Sequence, residues 1–596
     1  MKKTIALILA GVMALSSLTA CGGSKKAAAT ESLSVCIASE PQSIDPALNS
    51  AVDGATMLLH LFSGLGKWAQ KADGGLEIVA DMAEELVEPV DNGDGTFTYT
   101  YKIRDAKWSD GKPVTANDFE FAWNRAASVA LASDYGYMFE VVDGYEDIWA
   151  EDATGSEKLN IAAIDEKTFE VTTVGKLPYW NELLAFPTFF PVREDVVDDD
   201  GAWATDPKTY VSNGLFTLAG WEHNSVITLQ KNANHPDADS VKMGEIKFYL
   251  SDDENNMLAN FKNGDWLLID DVPTNEIATL KKDYPTEFFV TGQIGTYYVI
   301  WNMNQDLSPV DGDTLTAVEQ EEVRTAINKI YDRNYICNDI AQGGQLAASS
   351  FVAMGITESD GSTQFYKNTG FSSDFDGYYN VSEEALADNL AECMEVLAKY
   401  YDVQDGKVTN FPTLTYLYNT NESHKAIAEY LQSALANIGI TINLENQEWA
   451  SFLETRKNGE YSIARNGWVA DYNDAVCFLD MWTTASGNND AQFGRDAAEG
   501  EKIWSMDLSE FGYEKIDNGT WAETYDVLIS RVKAESDLKV RDSLMHKAED
   551  MLMESGAICP LYYYTDTYML NDSVKGFFSN PLGYKNFAYT TIEKAE

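Results

Sequence analysis

The stretch 464–474, ARNGWVADYND, limits what the chain can become, because it is too polar for a core strand and too aromatic for a linker. Laid out as a strand, residues two apart share a side-chain direction, so Arg465 and Asp471 face the same way with Gly467 and Val469 between them. At about 3.3 Å per residue this six-residue step spans roughly 20 Å, room for a short extended ligand and the reach of both side chains. Gly467 removes the side chain where a second backbone approaches, and Trp468 adds a flat apolar surface. The main-chain groups of Gly467 and Val469 point toward one edge, where an extended ligand can pair as an added strand. The stretch therefore reads as one wall of a closed cleft. In isolation the same pattern also fits two surface charges on an ordinary strand, so the rest of the chain decides.

A cleft needs two bodies, and 596 residues exceed what one core sustains. The hydrophobic content of 45% is that of a globular protein. Acidic residues number 95 against 43 basic, a formal charge of -52, which argues against nucleic acid or anionic lipid as a partner. The acidic residues are spread along the chain, as expected for a solvated surface; a general preference for cationic ligands is the other reading.

Lys2, Lys3, an apolar run from Ile5 to Leu15, and then Leu18, Thr19, Ala20 and Cys21 form a secretory leader ending in a lipobox. The pattern resembles bacterial lipoproteins, which implies a signal peptide over 1–20, lipid on Cys21, and a flexible tether through residue 32. Such a chain is anchored to a membrane without spanning it. Cys36, Cys337, Cys393, Cys477 and Cys559 are widely spaced and form no CxxC, so most read as buried thiols and neither zinc nor a redox dithiol is indicated.

Residues 79–125 combine an Asp94-Gly95 turn, the alternating strand Thr96 to Tyr101, a Ser109-Asp110-Gly111 turn and a helix starting at Thr115 with Asp118 completing a capping box. The DNGDGT run lacks the spacing and terminal Glu of an EF-hand, so no metal is expected there. Residues 211–235 alternate as a hairpin. In 414–456, Ile427, Leu431, Leu435 and Ile438 form a helical stripe that Gly439 ends; Ile440, Ile442 and Leu444 then alternate, and a helix with Trp449, Phe452 and Leu453 follows. Leu386, Leu390, Cys393 and Leu397 recur at helical spacing and read as core.

On these blocks, together with 464–489 and 556–570, the chain resembles the solute-binding proteins of oligopeptide and dipeptide ABC importers, a large extracytoplasmic peptide-binding family. The resemblance implies an α/β, periplasmic-binding-protein-like, two-lobed (Venus-flytrap) fold with an extra third domain, that is, a class C solute-binding protein. It implies lobe I from 33–65, 190–298 and 556–596, the extra domain II from 66–189, and lobe III from 299–555. In the family, the aspartate matching Asp471 takes the peptide's α-ammonium, and residues matching His424, Trp449 and Arg456 line the cleft, the basic ones nearer the carboxylate. Asn488 and Asn489 match a ligand-adjacent pair, and Ser50 and Val52 fall near the ligand. A family tyrosine that touches the ligand backbone matches Tyr135 or Tyr137, and Tyr137 is carried as the candidate; Tyr472 is a further aromatic candidate, and Tyr297 and Tyr564 are weaker ones. Two departures stand out: Val469 where some members have Cys, and no Lys near Gly343 matching one used for very short peptides.

Three functions follow for weighing. The first is a lipid-anchored, monomeric receptor on the outer face of the cell membrane, which closes around a short peptide by hinging near 296–304 and 554–560 and delivers it to a permease. The second is an oligosaccharide or metal-chelate receptor of the same fold, with Trp449, Trp468 and Tyr472 stacking on sugar; it leaves the bracketing charges unexplained. The third, a secreted hydrolase, finds no GxSxG, HExxH or Walker loop, so no catalytic residue and no cofactor is expected.

Overall fold

Two long strands, Phe288–Trp301 and Ile558–Leu570, run antiparallel through the middle of the computed structural model, which describes residues 31–593 apart from 38, 151, 199–200, 369–374 and 496–503. The leader, Cys21 and part of the 495–522 excursion lie outside the described residues. On one side of the long pair stand Leu268–Ile269, Ser32–Cys36, Glu245–Tyr249, Val226–Lys231 and Phe216–Glu222. On the other side stand Ile463–Val469, Leu414–Asn419 and Ile442–Gln447. All belong to one sheet of eleven strands, so both halves share the two central strands and little else of that sheet.

The central pair changes register twice, between Gly292 and Thr296 and again between Tyr297 and Tyr298. Gly292 sits opposite Thr565 and Thr296 opposite Tyr563, so residues 293–295 face Tyr564 alone. There Gly295 turns to pair with Val469, and a side chain on it would meet the Trp468 carbonyl at 2.8 Å. Extra residues in one strand bend it and increase its twist. This is the geometry expected where a strand crosses from one body to another.

A separate antiparallel sheet, Val90–Asp91, Phe97–Lys102, Thr168–Thr173 and Ile161–Asp165, carries the helix Ala116–Ala127. The helix begins as its sequence requires: the Thr115 N–H donates to Asp118 Oδ2 at 2.8 Å, the reciprocal cap with Asp in place of Glu. Phe119 and Trp123 are fully buried, and the Trp123 indole N–H reaches the Phe189 carbonyl at 2.8 Å.

The helix Glu422–Asn437 buries Ile427, Leu431 and Leu435 against the sheet, each contributing roughly 1.5–3 kcal/mol by leaving water. Asn421 caps it, accepting from the His424 N–H at 3.0 Å, and Gly439 follows it at φ +92°, where a Cβ would strike the Val408 carbonyl at 2.1 Å. In the helix Leu386–Tyr400, Cys393 and Leu397 are buried as expected, but Leu390 is 42% exposed. Val396 is the third buried residue of this helix. Among the described residues the five cysteines are buried and no helix is long and apolar enough to cross a membrane.

Candidate functional site

The strand Ile463–Val469 is held along one side by Gly295–Trp301, whereas its other neighbour, Leu414–Asn419, pairs only as far as Ala464. From Arg465 onward that second edge has no strand beside it. The Ala470 N–H donates to the Ile294 carbonyl, so by alternation the N–H groups of Val469, Gly467 and Arg465 point to the open edge. Gly467 spends its own on the Asn466 side chain at 2.8 Å. The open edge borders a cavity of about 330 Å³ between the two halves.

Of the expected residues, Val52, His424, Trp449, Arg456, Arg465, Gly467, Trp468, Val469, Asp471 and Asn488 line this cavity, as does Ser50. Two others do not. Tyr137 is 1% exposed and packs inside, with Lys533 5.6 Å over its ring; Tyr135 is the tyrosine at the cavity, and its hydroxyl donates to Asp471 Oδ1 at 3.1 Å. The short helical turn Gly136–Val141 that follows Tyr135 separates the two rings, and nothing in the local pattern of aromatics decides which one turns outward. Tyr472 stacks on Tyr179 at 4.5 Å and donates to Asp480 Oδ2 at 3.2 Å, so it is spent on packing. Asn489 likewise is consumed in structure, bonding the Phe493 carbonyl at 2.8 Å.

Gly467 is needed for a different reason from the one its position suggests. A Cβ there would lie 2.1 Å from the Tyr564 hydroxyl, so the missing side chain makes room for Tyr564 from the long strand Ile558–Leu570, one strand beyond its neighbour. The Trp468 indole donates to the Cys477 carbonyl at 2.9 Å, fixing the ring while one face borders the cavity.

Asp471 is 7% exposed and has no cation beside it among the described residues. Besides Tyr135, only the Cys477 thiol approaches its carboxylate, at 3.8 Å. Burial pushes the Asp471 carboxyl well above the usual carboxylate range, the Tyr135 hydroxyl opposes this, and Asp480 adds to it. Arg465, 8% exposed, forms no ion pair among the described residues; its guanidinium lies 5.4 Å from the Tyr297 ring, 5.6 Å from Phe452 and 5.9 Å from Trp449. Burial works against its charge, and the phenol oxygens of Tyr564, Tyr297 and Tyr562 outweigh it, so its pKa is raised. Its Nε is buried without a hydrogen-bond partner.

Arg456 is different, since it meets Asp490 at 2.8 Å. His424 is expected as a basic group, but burial and then Arg465 push its pKa well below the ordinary value, so it is a neutral imidazole. Asp53, Asp134, Glu254, Asp271 and Asp490 also line the cavity and escaped sequence reasoning. Asp53 directly follows Val52 and was the one within reach; burial pushes its carboxyl up to about 6, with the Gly54 N–H opposing.

The two halves are in contact across the cavity. Gln42 donates to Glu454 at 2.5 Å, Asn421 to Glu254 at 2.8 Å, and Lys457 pairs with Asp134 at 2.5 Å. As for metals, Asp81, His235 and Asp237 are mutually close, but Lys67 at 3.0 Å from Asp81 and Arg104 at 2.7 Å from Asp237 already neutralise the group.

Two α/β bodies joined by crossing strands, closed over a cavity with charged walls, define a solute-binding receptor. The chain belongs to the bacterial extracellular solute-binding proteins, family 5, whose middle-region model matches residues 77–490. It is similar over 594 residues, at 29% identity and 97% of both chains, to the oligopeptide-binding protein OppA of Bacillus subtilis. Among solved structures it is similar to Haemophilus influenzae OppA in complex with RPPGFSPFR, with a TM-score of 0.76 at 26% identity, covering 95% of this chain and 100% of that one. For the Escherichia coli murein tripeptide binding protein MppA the TM-score is 0.78 at 25% identity, covering 95% of this chain and 99% of that one. Against the unliganded open form of MppA, covering 95% and 98%, it falls to 0.57. The bodies here therefore sit closed. Family members are binding receptors and not enzymes, which removes the hydrolase alternative.

Proposed function

We propose that this chain is an exported, lipid-anchored receptor that encloses a short peptide and delivers it to an ABC importer permease. The observation that carries the reading is the unpaired, buried opposition of Asp471 and Arg465 along one open strand edge. An isolated buried charge is costly, and a ligand with an ammonium at one end and a carboxylate at the other removes both costs at once. The α-ammonium sits on Asp471 beside the Tyr135 hydroxyl, the carboxylate turns toward Arg465, and the main chain lies along the Gly467–Val469 edge. The termini and main chain of the ligand then carry most of the affinity. The names of the relatives, an oligopeptide-binding protein and a peptide complex, agree with this chemistry.

The moving bodies are lobe I from 33–65, 190–298 and 556–596, domain II from 66–189, and lobe III from 299–555, hinged where the long strands change register. Cys21 carries the lipid that keeps the protein, a monomer, at the outer membrane face. Native mass spectrometry of the protein as purified, then of protein exchanged against a mixed peptide pool, tests the reading. Adduct masses matching peptides with free termini support it; adducts matching only sugars or metal chelates overturn it.

A further inference from the structure

We propose that the cleft carries a subsite for a basic side chain of the bound peptide, with Glu254 and Asp271 as its anionic end. The inference rests on the peptide reading above and adds the class of peptide preferred.

Glu254 opens the helix Glu254–Asn263, where Asp253 caps by accepting from the Asn256 N–H at 2.9 Å. That leaves Glu254 free to turn into the cavity, which it lines together with Asp271. It is only 3% exposed. Its Oε1 accepts from Asn421 Nδ2 at 2.8 Å, across from the other half, while its Oε2 is buried with no hydrogen-bond partner. Among the described residues neither Glu254 nor Asp271 has an ion pair; the lysine closest in the network, Lys585, is already held by Asp270 at 2.5 Å and Asp566 at 2.9 Å.

Several other buried carboxylates of this fold are matched, although Asp53, also at the cavity, keeps one buried oxygen without a partner. Asp45 meets Arg125 at 2.8 Å, Asp474 meets Arg541 at 2.7 Å and Asp480 meets Lys533 at 3.2 Å. Glu549 has no cation, but two main-chain N–H groups hold it, and it does not reach the cavity. Glu254 thus shares the condition of Asp471, unmatched and facing ligand space, while Asp271 holds the Val272 N–H at 2.8 Å and no cation among the described residues. Burial first, then Asp271 and Glu422, raise the Glu254 carboxyl above its ordinary range, and burial raises Asp271 as well. A lysine or arginine head reaching this place supplies the missing donors to Oε2 and exchanges its charge for the protons the pair holds when empty. The net charge of -52 favours the approach of such peptides.

The test is calorimetry with the mature protein and alanine pentapeptides in which one lysine is moved through positions one to five, each beside its norleucine counterpart of similar length and no charge. The expected result is one position at which lysine binds about tenfold or more tighter than norleucine. In Glu254→Gln and Asp271→Asn the lysine-to-norleucine ratio at that position should fall to within about threefold. A folding defect weakens both peptides and does not move the ratio. If every position gives lysine and norleucine within about threefold in the wild type, the subsite is overturned while the peptide reading stands. A wild-type ratio that survives both substitutions overturns the assignment to these two carboxyls. If none of the pentapeptides binds, the peptide reading fails and this inference with it.

Discussion

Asp490 and Asp471 are both buried aspartates lining the cavity, yet Asp490 holds Arg456 at 2.8 Å and Asn466 at 3.0 Å, whereas Asp471 holds only a tyrosine hydroxyl and a thiol. The arginines divide in the same way: Arg456 is spent on Asp490, and Arg465 lies over aromatic rings with no carboxylate. One part of the wall is therefore neutral within itself, and the other keeps an acidic and a basic group apart, each without an ion pair among the described residues. The first arrangement serves folding. The second is costly to the empty protein and is explained by a ligand that brings the complementary charges.

Substitutions sharpen this contrast, beginning with the largest effect. Asp471→Ala should weaken a free-amine peptide by about 100-fold or more in calorimetry, the scale of losing one partner of an enclosed charge pair. Arg465→Met should cost about 10- to 100-fold for a peptide with a free carboxylate and much less for the same peptide amidated, because only the former uses the guanidinium. Arg456→Met should act elsewhere: it strands Asp490, so urea unfolding should report a loss of about 3 kcal/mol, with a smaller change in affinity. A loss of affinity at Arg456 equal to that at Arg465 would erase the distinction. Val469→Ala should change affinity by less than about threefold, since the reading assigns that position's main chain to the ligand and not its side chain.

The sequence exposed the wall strand because its charges and its glycine broke the hydrophobic pattern a core strand keeps. It exposed the Thr115 cap and the Gly439 stop because both depend on neighbours within a few residues. What it hid depends on packing between distant segments. Gly467 answers to Tyr564, almost a hundred positions later, and Tyr135 was indistinguishable from Tyr137 until the turn between them was folded. Tyr472 stacks on Tyr179, a residue far away in sequence. His424 looked basic by type, and only enclosure beside Arg465 makes it neutral. Glu254 and Asp271 come from the far wall and carry no periodic mark among so many acidic residues.

The central claim is that Asp471 receives the free amine of a peptide. Calorimetry of one pentapeptide against its N-acetylated form, on the wild-type protein, measures this directly. Acetylation removes the cation and leaves the rest of the ligand in place. The account predicts that binding weakens by about 100-fold or more on acetylation; equal affinity for the two forms would contradict it.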